Sequence, residues 1–121
     1  MITLKAPLEI GLCVCAPEMM IGFYRDVLGF ELISDLKVSL EKSRPTGFTK
    51  DGYRIIRFQT NHGERIKLVH PYSIPKKRTF EEEILSHRGN VFMTFIVEDL
   101  KSTLKKIRSK VTIFRTEGEI V

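Results

Sequence analysis

The chain has 121 residues, of which 42% are apolar, enough for one modest hydrophobic core. Its net charge of +5 is spread along the sequence and favours anionic over cationic ligands. The basic residues lack zinc-finger spacing and an aromatic-rich RNA-binding signature, so a nucleic-acid partner is not expected. No apolar stretch reaches membrane-spanning length and no signal-like core follows the N-terminus, so no membrane partner is expected either, and the location is read as cytoplasmic.

The first segment alternates cleanly. Leu8, Ile10, Leu12 and Val14 face one way, and Glu9, Gly11, Cys13 and Cys15 the other. The uniformly apolar side suits packing on a helix, and the mixed side faces whatever the sheet encloses. Cys13 and Cys15 point the same way, with Cβ atoms too far apart for an easy disulfide, so both are read as free thiols. A zinc reading of Cys-x-Cys needs two further ligands at matching spacing, and none is present. Free thiols agree with a reducing compartment.

A helix follows. Pro17 suits its first turn, Glu18 its positive end and Gly29 its stop, while Met20, Phe23, Tyr24, Val27 and Leu28 make a buried stripe. The segment after Phe30 through Glu41 is predicted to be a second strand, and Ser43 to Asp51 a polar loop around Pro45 and Gly47. Tyr53 to Gln59 and Glu64 to His70 are predicted to form a hairpin about Asn61-His62-Gly63, with glycine where a three-residue loop needs a left-handed residue. Pro71 to Asn90 reads as a charged linker, with a short helix over Phe80 to Leu85. A further strand opens at Val91, and a helix from about Leu100 to Lys110 keeps Leu100, Leu104, Ile107 and Val111 on one side.

The stretch from Leu8 to Leu32 recurs in outline at Val91 to Phe114: apolar strand, acidic break, amphipathic helix, second strand. At a constant offset Glu9 corresponds to Phe92, Val14 to Val97 and Leu28 to Val111. With this repeat, the run Phe23, Tyr24, Leu28, Gly29, Phe30 closely resembles the first module of the vicinal oxygen chelate superfamily, the glyoxalase/bleomycin-resistance/dioxygenase fold. The resemblance covers most of the chain. It implies an α+β fold of paired βαβββ modules in a curved, mostly antiparallel sheet. Module one spans about 6–72, the linker about 73–90 and a truncated module two about 91–121, all in a single domain. The stretch Ile113 to Val121 is long enough for one strand, so the last two strands of module two have no sequence to form them. The open edge and uncovered apolar face this leaves predict a homodimer.

Metal-using members of that superfamily place a His or Gln on the first strand of each module and a carboxylate on the last strand of each. Those positions fall here on Glu9, Lys67 and Phe92, and the fourth lies beyond Val121. A charged lysine and a phenyl ring offer no lone pair, and one carboxylate does not hold a divalent ion against water, so neither metal nor cofactor is expected. His62 in the turn, His70 facing away from Lys67 and His87 in the linker do not replace the missing ligands. What remains is a small-molecule ligand, anionic or polar, held in a concave pocket. Glu9 and Lys67 form its charged centre, with an ion pair between them as one reading, and Gly11, Cys13, Arg57, Phe92 and Thr94 line it. Arg57 belongs there if the turn has three residues; another turn length brings Arg54 in instead. Two other readings stand beside this one. The first is a glyoxalase-type lyase or isomerase with Glu9 as general base and Lys67 stabilising an enolate. The second is an interaction module pairing through its open edge.

Overall fold

In a computed structural model, in which residues 1–77 and 84–110 are described, the chain divides into two compact units, Met1–Lys76 and Lys77–Val121. The first unit is built on four strands: β1 (Glu9–Cys13), β2 (Glu31–Val38), β3 (Tyr53–Gln59) and β4 (Arg65–Pro71), in the order β1-β4-β3-β2. β1 runs parallel to β4, and the other two pairings are antiparallel. The crossover from β1 to β2 carries helix α1 (Pro17–Ile21), which continues as a wider turn over Gly22–Val27. The βαβββ order is thus formed in the first unit.

Reading registers across the sheet gives rungs of side chains on each face. Ile10, Ile66, Phe58 and Leu32 form one rung on the helix side, and Leu12, Leu68, Ile56 and Asp35 the next. Phe58, Ile56 and Leu68 are fully buried there. Ile21 and Tyr24 close the core from the helix, with the Tyr24 ring 5.8 Å from Phe58, 6.0 Å from Phe30 and 5.4 Å from Phe23. Burial raises the Tyr24 hydroxyl pKa above its ordinary value. In the expected stripe Tyr24 is buried and Met20, Phe23, Val27 and Leu28 are half-buried, while Ile21, outside the stripe, is buried. The reason is the wide turn: Leu28 N–H donates to Phe23 O at 3.0 Å, an i to i+5 closure that advances less per residue than α spacing assumes. Gly29, at φ 73°, ends the helix.

One strand boundary differs from the sequence expectation. β2 stops at Val38, and residues through Glu41 do not extend it: Leu40–Ser43 form a helical turn, α2, followed by a 3₁₀ turn at Arg44–Thr46. Ser43 drives this. It is buried, its N–H donates to Ser39 O at 2.9 Å, and its hydroxyl donates to Thr49 O at 3.4 Å. The hairpin lies as expected about Asn61-His62-Gly63, closed by Thr60 N–H to Glu64 O at 3.0 Å, with Gly63 at φ 97°.

Arg54 ties the helix to the sheet. Its guanidinium donates to both oxygens of Asp35, at 2.8 and 2.7 Å, and to Glu18 of α1 at 2.5 Å. Hydrogen bonding from Arg54 holds the Asp35 carboxyl below its ordinary 3.8. A depressed folded-state pKa stabilises above the unfolded value and is lost as pH falls through the folded one. Asp35→Asn is therefore expected to cost a few tenths to about 1 kcal/mol at neutral pH, as for a solvent-screened pair, with the difference from wild type closing as pH drops below 3.8. Urea midpoints across that range check it, and a pH-independent difference would count against the pair.

In the second unit, α3 spans Leu100–Ile107, capped by Asp99, whose carboxylate accepts from Ser102 N–H at 3.0 Å. Leu104 and Ile107 are half-buried and Leu100 is exposed. The strand expected to open at Val91 is not formed. Residues 91–97 lie outside any ladder, with Val91, Phe92, Phe95 and Ile96 exposed. A strand requires a neighbour for its N–H and C=O groups, and the described residues of this unit contain no other strand. Ile84–Ser86 form a 3₁₀ turn, while Phe80 to Glu83 of the expected linker helix, Val111, and the strand expected at Ile113 to Val121 lie outside the described residues.

Candidate functional site

The sheet face away from α1 carries the chemistry. Its rungs are Glu9, Arg65, Gln59, Glu31; then Gly11, Lys67, Arg57, Ser34; then Cys13, Val69, Ile55, Leu36; and finally Pro71, Tyr53, Val38. The first two are polar and charged, and the last two largely apolar. Glu9, Gly11, Cys13, Arg57 and Lys67 therefore share one face, and the three-residue turn puts Arg57 directly opposite Lys67 while Arg54 takes the helix side.

Glu9 forms its ion pair with Arg57, not with Lys67. Arg57 Nε donates to Glu9 Oε2 at 2.9 Å, and Arg57 Nη1 donates to Ser34 Oγ at 3.4 Å. Lys67 and Arg57 stand in the same rung, one from Glu9, but the Lys67 stem lies over Gly11 whereas the longer Arg57 side chain crosses β4 to reach the carboxylate. Both partners are only about a quarter exposed, 24% each, so water screens the pair incompletely. Arg65 is held separately by Gln59, Nε to Oε1 at 2.9 Å.

Lys67 has no hydrogen-bond or ion-pair partner among the described residues. Its aliphatic stem lies over Gly11: a Cβ added to that glycine would sit 3.3 Å from Lys67 Cε. Gly11 thus leaves the room in which the ammonium lies. The centre of this face is a neutralised Glu9–Arg57 pair flanked by Lys67 and by Arg65, neither of which has an anionic partner among the described residues.

The residues at the family's metal positions do not fit a divalent ion. The one carboxylate, Glu9, is already bound by a guanidinium, and the position expected to supply a second acid carries the Lys67 ammonium. Among the described residues no three His, Cys, Asp or Glu side chains gather as a metal set. His70 Nδ1 is 3.1 Å from Val14 O on the helix side, and His62 sits in the hairpin turn. Phe92 and Thr94 belong to the second unit, where both are exposed. Cys13 and Cys15 are free and exposed.

Sequence reasoning missed Ser34, Leu36, Arg65 and Gln59 on this face. Arg65 and Gln59 were findable, since they share strand parity with Lys67 and Arg57. Ser34 and Leu36 were not, because a bulge between Leu32 and Ser34 resets parity along β2.

The family model for the Glyoxalase/Bleomycin resistance protein/Dioxygenase superfamily matches residues 7–118. Among solved structures, a glyoxalase family protein from Bacillus cereus is similar at 20% identity and a TM-score of 0.64, over 88% of this chain and 72% of that one. The structure of SMU.1112c is similar at 18% identity and a TM-score of 0.50, over 88% of this chain and 75% of the other. No curated protein matches. Among the described residues no helix is long and apolar enough to cross a membrane.

Proposed function

Because the chain belongs to the glyoxalase/bleomycin resistance protein/dioxygenase superfamily, we propose that it binds a small anionic organic molecule on the open face of its sheet, without a metal centre. The observation that carries this reading is Lys67, a cation without a partner among the described residues, beside a carboxylate that Arg57 already neutralises. An incoming carboxylate meets the Lys67 ammonium and a guanidinium held in place by Glu9 and Ser34, which needs little further ordering. The lyase or isomerase reading is weaker, since a general base at Glu9 must first release Arg57.

A homodimer in the cytoplasm completes the proposal. The exposed apolar residues Val91, Phe92, Phe95 and Ile96 support the first part, and the two exposed free thiols support the second.

Lys67→Met keeps the stem over Gly11 and removes the charge. It is expected to weaken binding of small carboxylates roughly ten- to a hundredfold, the range of a hydrogen bond to a charged group, while leaving the urea midpoint unchanged. Calorimetric titration with a panel of organic acids measures this. Equal affinities in wild type and variant would remove Lys67 from the site, and a wild type that binds none of the acids would end the proposal.

A further inference from the structure

The open face is graded. One rung carries Lys67 and Arg57, and the next, about 7 Å along the strands at 3.3 Å per residue, carries Cys13, Val69, Ile55 and Leu36. Ile55 is covered and Val69 half-buried, whereas Leu36 is 54% exposed and the Cys13 thiol is exposed. An exposed leucine on the same face as a lysine that has no partner among the described residues, one rung away, makes a surface with two unlike ends.

On the reading that this face holds an anion, we propose that its ligand is an amphipathic monoanion: a carboxylate on an aryl or medium-length alkyl body, with its head at Lys67 and Arg57 and its body over Val69 between Leu36 and Cys13. Charge complementarity fixes the head. On the two polar rungs the three cations Arg57, Arg65 and Lys67 stand against the two carboxylates Glu9 and Glu31, a net of one positive charge, which matches a single negative charge better than a di- or triphosphate. The spacing fixes the body, because a phenyl ring or a chain of about five carbons reaches from one rung across the next. The polar rung with Glu9, Arg65, Gln59 and Glu31 lies on the opposite side of the anchor, so an apolar body has one favourable direction.

Cys13 gives this orientation its own readout. In a Cys15→Ser protein Cys13 is the remaining thiol, and its alkylation by iodoacetamide reports whether the third rung is covered. Calorimetry compares acetate, hexanoate and hexan-1-ol as probes. Hexanoate is expected to bind at least tenfold more tightly than acetate, about the effect of burying two methylenes, and at least tenfold more tightly than hexan-1-ol, about the effect of one hydrogen bond to a charged group, and to slow Cys13 alkylation at saturation, whereas acetate leaves it unchanged. Leu36→Ser, at an exposed position, is expected to weaken hexanoate several-fold and leave acetate unaltered. If acetate binds as tightly as hexanoate and Lys67→Met weakens both, the anion site stands and the amphipathic ligand is overturned. Hexanoate that binds without protecting Cys13 overturns the orientation. Hexan-1-ol binding as well as hexanoate, or no probe binding at all, removes the anion site itself and this inference with it.

Discussion

Phe58→Ala is expected to lower the free energy of unfolding by about 3–5 kcal/mol, read as a fall in the urea midpoint at unchanged slope. Phe58 is fully buried at the centre of the rung Ile10, Ile66, Phe58, Leu32, with the Tyr24 ring stacked over it at 5.8 Å. Removing the ring deletes buried apolar area and leaves a void between helix and sheet. The flanking Ile56 and Leu68 are held by strand registers on both sides and have little freedom to fill it. Against a usual total of about 5–15 kcal/mol, the loss brings the protein close to unfolding. Ile33→Ala is the control: Ile33 is 39% exposed at the β2 bulge, and truncation there costs far less. A Phe58 loss no larger than that of Ile33 would show that the helix does not close the core over this ring.

The contrast between these two positions also explains what the sequence disclosed. β1, β3 and β4 keep strict period-two alternation, so facing, register through the Gly63 turn and the shared face of Glu9, Arg57 and Lys67 all follow from parity and turn chemistry. β2 breaks that logic at Ile33. One extra residue puts Leu32 toward the helix and Leu36 toward the open face, although their spacing predicts a common side. The apolar end of the site was hidden for that reason. The α2 turn was hidden differently: its cause is Ser43, a polar residue buried through hydrogen bonds to residues that sequence reads as loop. Val91 to Val97 read as a strand because alternation describes a surface ready to pair, while pairing itself depends on a neighbour. The choice of Arg57 over Lys67 as the partner of Glu9 lies in where two side chains of one rung are laid, Lys67 over Gly11 and Arg57 across β4, which local pattern does not encode.

Glu9→Gln is expected to tighten the binding of small carboxylates, an outcome opposite in sign to what a general base at this position predicts. In the folded protein Arg57 is committed to Glu9, and the carboxylate also sets its own charge against an incoming anion. The amide keeps the shape, removes one negative charge and frees part of the guanidinium. At a separation of several Å and a dielectric between protein surface and water, one charge contributes about 1 kcal/mol, or roughly five- to tenfold in affinity. The gain should shrink as salt is raised, because this face is open enough to be screened. Arg57→Met runs the other way: it removes a guanidinium from the binding face and leaves a quarter-exposed carboxylate without its cation, weakening anion binding and costing about 1–3 kcal/mol of stability. Adding Glu9→Gln to Arg57→Met should recover most of that stability, since the unpaired charge is gone, and the cycle measures the coupling directly. A Glu9→Gln protein that binds carboxylates more weakly than wild type would instead assign Glu9 a direct role with the ligand and return the lyase or isomerase reading to first place.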